Sequence, residues 1–289
     1  MIAFLYYLII APLSYLPFWI LYRISDVLFF FIYHLKLYRR KVVLENLKKS
    51  FPEKSEKEIE EIAKKFFSHF CDVIIESIKG FHISEKEILK RHSYSNVELL
   101  NSYYEKKQSV AIVGAHYCNW EWVALSLPLV TKFKTHGIFQ PLTNAAMNVL
   151  IKGSRERNGM KLVAFKEVPR VLEETKNELI TMGYILDQSP GRSDRHHKWI
   201  RFLNQDTKAN GTFEFLAKKH NTPVIYMNVT KKKRGYYECS FCPITDKPQE
   251  TEDGYITDVF MGGLEQIIKE NPQFWLWTHR RWKLKKNTP

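Results

Sequence analysis

Cysteine is scarce: four among 289 residues, at positions 71, 118, 239 and 242. Only Cys239-Ser-Phe-Cys242 has a chelating spacing, and it lies in a strand-like run where residues three apart face opposite sides. No second C-x-x-C or H-x3–5-H supplies two further ligands, so no metal site is expected and the cysteines read as reduced filler of a cytosolic compartment. A G-x-S-x-G nucleophile elbow is also missing, which argues against an α/β hydrolase. Neither zinc-finger spacing, an RNP-like aromatic motif nor a basic helical stripe is present, although a membrane-tethered nucleic-acid-binding protein is the reading that charge alone permits. Internal repeats, low-complexity tracts and linkers are absent, so nothing in the cytosolic part marks a second domain.

Negative charge is the minority. Lys plus Arg number 44 against 31 Asp plus Glu, a net +13, which implies a polyanionic partner. With the nucleic-acid motifs missing, the anionic surface of a membrane or an acidic protein is the expected partner. An aromatic content of 14%, high for an ordinary soluble domain, agrees with a membrane.

Residues 1–22 contain no charged side chain, about the length that crosses a bilayer. Pro12 and Pro17 interrupt them, so the segment either kinks or breaks into pieces lying at the interface. A start without Lys or Arg, followed by no A-x-A, argues against a cleaved signal peptide. Lys36, Arg39, Arg40 and Lys41 follow, and by the positive-inside rule they keep the remainder in the cytoplasm. The expected organisation is a membrane anchor over residues 1–40 and a cytosolic-facing domain over 41–289.

Ser55-Glu-Lys-Glu58 has the form of a capping box, and the apolar period beyond it predicts an amphipathic helix to about Lys79 with a solvated charged face. From residue 109 onward strands and helices alternate. Strands are expected at 109–114, 135–139, 179–187 and 223–230, and helices at 120–131, 144–158, 167–177, 211–219 and 254–269. The fold class is therefore α/β: a mixed central sheet flanked by helices, with an N-terminal membrane-anchoring helical segment.

The stretch Gly114-Ala-His116-Tyr-Cys-Asn119-Trp-Glu121 follows the first of those strands. On a continuous helix, positions five apart are turned about 140° from one another, which would separate His116 from Glu121. With Asn119 as N-cap, His116 instead lies in the loop and Glu121 in the first turn, able to fold back toward it. A carboxylate there would fix one imidazole tautomer and leave the other nitrogen as a general base. An isolated His and Glu at this spacing is more often structural; the position at the end of a buried strand and the flanking Trp120 and Trp122 favour chemistry.

This motif resembles the His-x4-acid motif of the bacterial lipid A biosynthesis acyltransferases, within the wider lysophospholipid acyltransferase superfamily. Along nearly the whole chain, Arg155-Glu-Arg-Asn-Gly159, Asp187-Gln188 and Trp275-Leu-Trp-Thr-His279-Arg280-Arg281-Trp282 match in the same order. Cys118 departs from the pattern, standing where the family often has glycine. The resemblance implies an O-acyltransferase at the cytoplasmic face of the inner membrane, without a cofactor beyond its acyl thioester. The donor would be an acyl carrier protein, or acyl-CoA, and the acceptor an anionic membrane lipid such as a lipid A precursor. Glycerolipid acyltransferases are the nearer alternative, but they usually carry Asp in the motif and a downstream Glu-Gly-Thr block, and this chain has neither.

His116 and Glu121 are the expected catalytic pair. Substrate contacts are expected at Asn119, at Trp120 in an apolar groove, at Arg155 as a bidentate phosphate or carboxylate ligand, and at Asp187 and Gln188 beyond a buried strand. Phe202-Leu-Asn-Gln-Asp206-Thr207 followed by Gly211-Thr212 resembles the family segment that introduces a short helix, which implies that Gly211 and Thr212 open a helix whose backbone N–H groups face a phosphate or an oxyanion. Arg192, Arg195, His196, His197 and Lys198 form a cationic loop suited to an anionic head group or an acidic carrier. The basic aromatic C-terminus fits either the family pattern or an interfacial belt.

Overall fold

The computed structural model describes residues 6–191 and 195–286. The first five residues of the apolar N-terminus and Arg192 of the cationic loop lie outside the described residues. Among the described residues nine strands form: β1 (His92–Tyr94), β2 (Val110–Gly114), β3 (Lys134–Phe139), β4 (Lys161–Ala164), β5 (Ile180–Ile185), β6 (Lys198–Phe202), β7 (Gln205–Ala209), β8 (Val224–Lys233) and β9 (Tyr236–Thr245).

Seven of them make one sheet in the order β1-β9-β8-β2-β5-β3-β4. β2, β3, β4, β5 and β8 run the same way, β9 is antiparallel to β8, and β1 is parallel to β9. The result is a mixed α/β fold with a mostly parallel central sheet. β2 lies in its middle with all five residues buried, as an uninterrupted apolar run requires when helices cover both faces. Each of the four expected strands forms, with ends shifted by a few residues.

β6 and β7 pair separately as an antiparallel hairpin. The stretch leading to Gly211 is thus a ribbon, turned by Leu203 and Asn204 at φ +47° and +61°. That two-residue turn has the hairpin hand without its usual Asn-Gly signal, which hides it from sequence reading.

The capping box forms in full. Ser55 accepts from the Glu58 amide, Glu58 accepts from the Ser55 amide, and a helix runs from Glu56 to Lys79. Ile59, Ala63, Phe66 and Phe67 line its inner face. Its acidic residues are not all solvated as expected: Asp72 and Glu76 are buried, Asp72 in an ion pair with Arg234 at 2.6 Å. A second expected helix, over 120–131, is broken into 3-10, α and 3-10 turns at Trp120–Trp122, Val123–Ser126 and Leu127–Leu129, the last containing Pro128.

The apolar N-terminus does not form one rod. A π-helical turn (Tyr6–Ile10), a short α-helix (Ala11–Tyr15) and a 17-residue helix (Phe18–His34) follow one another, broken at Leu16-Pro17. Among the described residues, no helix is long and apolar enough to cross a membrane. The last of these helices packs its inner face on the helix Glu56–Lys79 and leaves Trp19, Val27, Phe30 and Phe31 exposed on the other side.

The C-terminal aromatics are core rather than belt. Trp275 and Trp277 are buried, Trp275 bridges Tyr117, and the Asn46 amide donates to the carbonyls of Trp277 and His279. This strap crosses directly behind the loop that leaves β2.

Candidate active site

Two adjacent parallel strands create the site. β2 and β5 pair with Gly114 opposite Ile185, and the Leu186 amide donates to the Gly114 carbonyl at 3.1 Å. Two residues further along each chain stand His116 and Asp187, so equal register delivers an imidazole and a carboxylate to the same place. His116 Nδ1 lies 2.7 Å from Asp187 Oδ1, and the Trp275 indole N–H donates to Asp187 Oδ2 at 2.8 Å. Burial alone would raise the Asp187 pKa, but the His116 charge, its hydrogen bonds and the indole outweigh it and hold the carboxyl below its ordinary value. An ionised Asp187 makes Nδ1 the protonated nitrogen. Nε2 is left as an acceptor, and the Gln188 amide nitrogen lies 3.3 Å from it.

The contact expected between His116 and Glu121 is therefore made by a different carboxylate. Glu121 is held by Arg155, whose Nη2 reaches Oε1 and Oε2 at 2.8 and 2.7 Å while Nε reaches Oε2 at 3.1 Å. Trp120 joins the two pairs: its ring meets the His116 ring edge to face at 5.2 Å, and its indole N–H donates to Glu121 Oε1 at 3.2 Å. The helix Ala145–Glu156 carries Arg155 over the sheet to reach the turn.

Asn119 does cap the turn, accepting from the Trp122 amide at 3.2 Å. It is fully buried, however, and its Nδ2 donates to Glu76 at 2.7 Å, so it points into the core and not toward a substrate. Cys118 sits at φ +51°, in the left-handed region where a side chain is strained. That backbone explains why glycine suits this position.

His116, Trp120, Glu121, Arg155, Gln188 and Thr212 all line one cavity of about 750 Å³. Ile112, Leu127, Ile138, Met160 and Leu162 make much of its wall apolar, with His136 and Gln140 among them. Gly114, Gly137 and Gly183 lie on its sheet side, Gly137 and Gly183 directly paired, beside Ile112, Phe139 and Ile185 of the same strands. Its volume is within the range of cavities that enclose a ligand of drug size, about 300–1,000 Å³. Asp187 stands behind His116 rather than on the wall. Gly211 is also off the wall, and a Cβ there would collide with the His196 carbonyl, so close backbone approach accounts for that glycine. Of the cationic loop, Arg195 and His196 line the cavity mouth.

Trp275 is the contributor that sequence reading left unassigned. Its signal was the tryptophan pair in the closing motif, but only the fold shows that it reaches Asp187. Arg281 from the same strap is buried, and none of its three guanidinium nitrogens has a hydrogen-bond partner among the described residues. The C-x-x-C cysteines are split as their strand spacing predicts, Cys239 buried and Cys242 exposed.

The chain is similar to known proteins along nearly its whole length. The Escherichia coli K12 protein named lipid A biosynthesis lauroyltransferase is 21% identical over 272 residues, covering 93% of this chain and 87% of that one. The sequence model of the bacterial lipid A biosynthesis acyltransferases matches residues 1–284. A match of that extent, over the strand, turn and strap that build the site, makes this chain a member of the bacterial lipid A biosynthesis acyltransferase family.

Proposed function

We propose that this acyltransferase moves a fatty acyl chain from an acyl carrier protein thioester to a hydroxyl of a lipid A precursor, at the cytoplasmic face of the inner membrane. The observation that carries the proposal is the His116–Asp187 pair, with His116 on the wall of a large cavity partly lined by apolar side chains. His116 Nε2 takes the proton of the acceptor hydroxyl as its oxygen attacks the thioester carbonyl. The tetrahedral intermediate then expels the carrier thiolate, which recovers that proton from the imidazolium. Asp187 fixes the tautomer and balances the imidazolium, as a buried carboxylate does for other catalytic histidines. No acyl-enzyme is needed, because the acceptor is itself the nucleophile.

Glu121 and Arg155 act as one unit beside this centre. Two of the guanidinium nitrogens are committed to Glu121, which leaves Nη1 outside the pair to meet a substrate phosphate or the developing oxyanion. Gln188 sits where the acceptor hydroxyl must arrive, and the start of the helix Thr212–Lys219 lies at the mouth. The acyl chain takes the apolar depth beneath Trp120.

Docking on the membrane is by insertion in the plane of the interface. The exposed side of the helix Phe18–His34 carries Trp19, Val27, Phe30 and Phe31 around the charged Arg23 and Asp26, and Lys36, Arg39, Arg40 and Lys41 follow it, an amphipathic, mostly cationic combination suited to the interface of an anionic leaflet. The net charge of +13 also suits an acidic carrier protein. The test is to incubate the purified protein with acyl carrier thioester and a lipid A precursor in mixed micelles and weigh the lipid. Gain of one acyl chain, lost in His116→Ala, is the expected result. An unmodified precursor, with cellular lipids identical with and without the protein, would refute the reading.

A further inference from the structure

The helix Phe18–His34 faces two ways. Outward it exposes Trp19 and Phe30, 70% and 54% accessible. Inward it touches the turn of the active site directly, with Phe18 set edge to face on the buried Trp122 ring at 6.1 Å. One turn further on, the Tyr22 hydroxyl donates to Glu76 Oε1 at 2.9 Å.

Glu76 is wholly buried and gathers three donors from three separate elements. Besides Tyr22, it accepts from Asn119 Nδ2 at 2.7 Å and from the Tyr237 hydroxyl on β9 at 2.8 Å, both on Oε2. Its backbone carbonyl accepts the Trp122 indole N–H at 3.0 Å. Asn119 in turn caps the 3-10 turn Trp120–Trp122 that holds Glu121 and Trp120 against Arg155 and His116. From the outward-facing helix to the turn is thus a path of two side chains, Glu76 and Asn119. A second tie keeps the helix in place: Arg234 donates to Asp72 and Asp26, and Ser25 donates to Asp72 at 2.8 Å.

A carboxylate removed from water is costly unless its lone pairs are filled, and an apolar side chain would pack the same space without that cost. What Glu76 provides that an apolar residue would not is a directional link between the outward-facing helix, the turn and the sheet edge. We infer that Glu76 is a positioning residue that carries the ordering of the helix Phe18–His34, when its outer face docks on a lipid surface, to the turn beside His116. The inference rests on the interfacial docking proposed above. Docking immobilises the helix; the hydrogen bonds through Glu76 and the Phe18–Trp122 contact then restrict the turn, so that it is most ordered where the lipid acceptor is.

Amide hydrogen exchange on the full chain tests this, with and without vesicles of phosphatidylethanolamine and phosphatidylglycerol. In the wild-type protein, vesicles are expected to slow exchange over residues 115–123 about tenfold. Tyr22→Phe, which removes one hydroxyl, should still sediment with vesicles but show less than about a twofold slowing there; Glu76→Gln should do the same. Comparing each variant with itself, with and without vesicles, cancels any general loss of stability. For activity, Tyr22→Phe should lower kcat on vesicle-borne acceptor by about tenfold with KM unchanged, and match wild type on detergent-dispersed acceptor. If wild type binds vesicles without slowing, or the variants slow as wild type does, the Glu76 link is wrong and the docking stands. Failure of the wild-type protein to sediment with vesicles would remove the docking and the link together.

Discussion

The imidazole of His116 is hydrogen-bonded to a carboxylate 71 residues further along the chain, that of Asp187, at 2.7 Å. Asp187→Asn keeps the shape and removes the charge that fixes the tautomer, so kcat should fall roughly 10²–10⁴-fold, with KM little changed. Steady-state kinetics on the variant check this; activity within a few-fold of wild type would remove Asp187 from the mechanism.

Glu121 and Arg155 should behave as a unit. Glu121→Gln and Arg155→Lys should each lower kcat/KM, since Lys cannot reproduce the two-pronged contact. Their effects should not add: the double variant is expected to lose less than the product of the two, by a coupling of about 0.5–3 kcal/mol. Strict additivity in the four-member cycle would separate the two residues.

Trp275→Phe retains a buried ring but deletes the donor on Asp187 Oδ2. A buried carboxylate that loses a hydrogen bond binds its proton more readily, so the acid limb of the pH–kcat profile should move to higher pH. A profile that overlays wild type would show that the indole only packs.

Stability should rise with pH between about 4 and 6.5. Burial is the leading cause that lowers the pKa of His69, His82, His92, His136 and His279, that of His92 to about 3 and of His279 to about 4. In that window these imidazoles bind fewer protons in the folded chain than once it unfolds, so their contribution is lost as pH falls. Glu76 opposes them, because burial and Asp72 raise it to about 7. One carboxyl against five imidazoles leaves the unfolded state binding more protons, and Tm at about pH 6 should exceed Tm at about pH 4.5. The reverse order would contradict the sign.

Thiol reagents should modify Cys242 quickly and leave the other three until unfolding. Cys71, Cys118 and Cys239 are buried, and burial pushes the Cys71 thiol up to about 12. Mass spectrometry after brief alkylation of the native protein counts the additions; more than one would show that a buried thiol opens readily.

Much of this fold is legible in the chain because local rules settle it. The Ser55–Glu58 capping box, the apolar run of β2 and the amphipathic period of the helix Glu56–Lys79 each carry their own cause within a few residues. The partner of His116 does not. Sequence can place Asp187 at the end of a strand, but that β5 is the neighbour of β2 is a property of the whole sheet. Glu121 is closer in sequence, and sequence distance is what motif reading weighs. Asn119 misleads in the same way: its capping bond is local and foreseeable, whereas the inward turn of its amide depends on Glu76, 43 residues away.

The glycines on the sheet side of the cavity bear on how much room it holds. Gly114, Gly137 and Gly183 stand on three neighbouring strands, and a Cβ at Gly137 would come within 3.2 Å of Met160 Sδ. A larger residue at Gly137 would press on Met160 and Leu162, two of the apolar side chains that line the cavity. Under the proposed function, swapping one of these glycines for alanine should therefore shorten the preferred acyl chain, a shift that mass spectrometry of the product lipid would read.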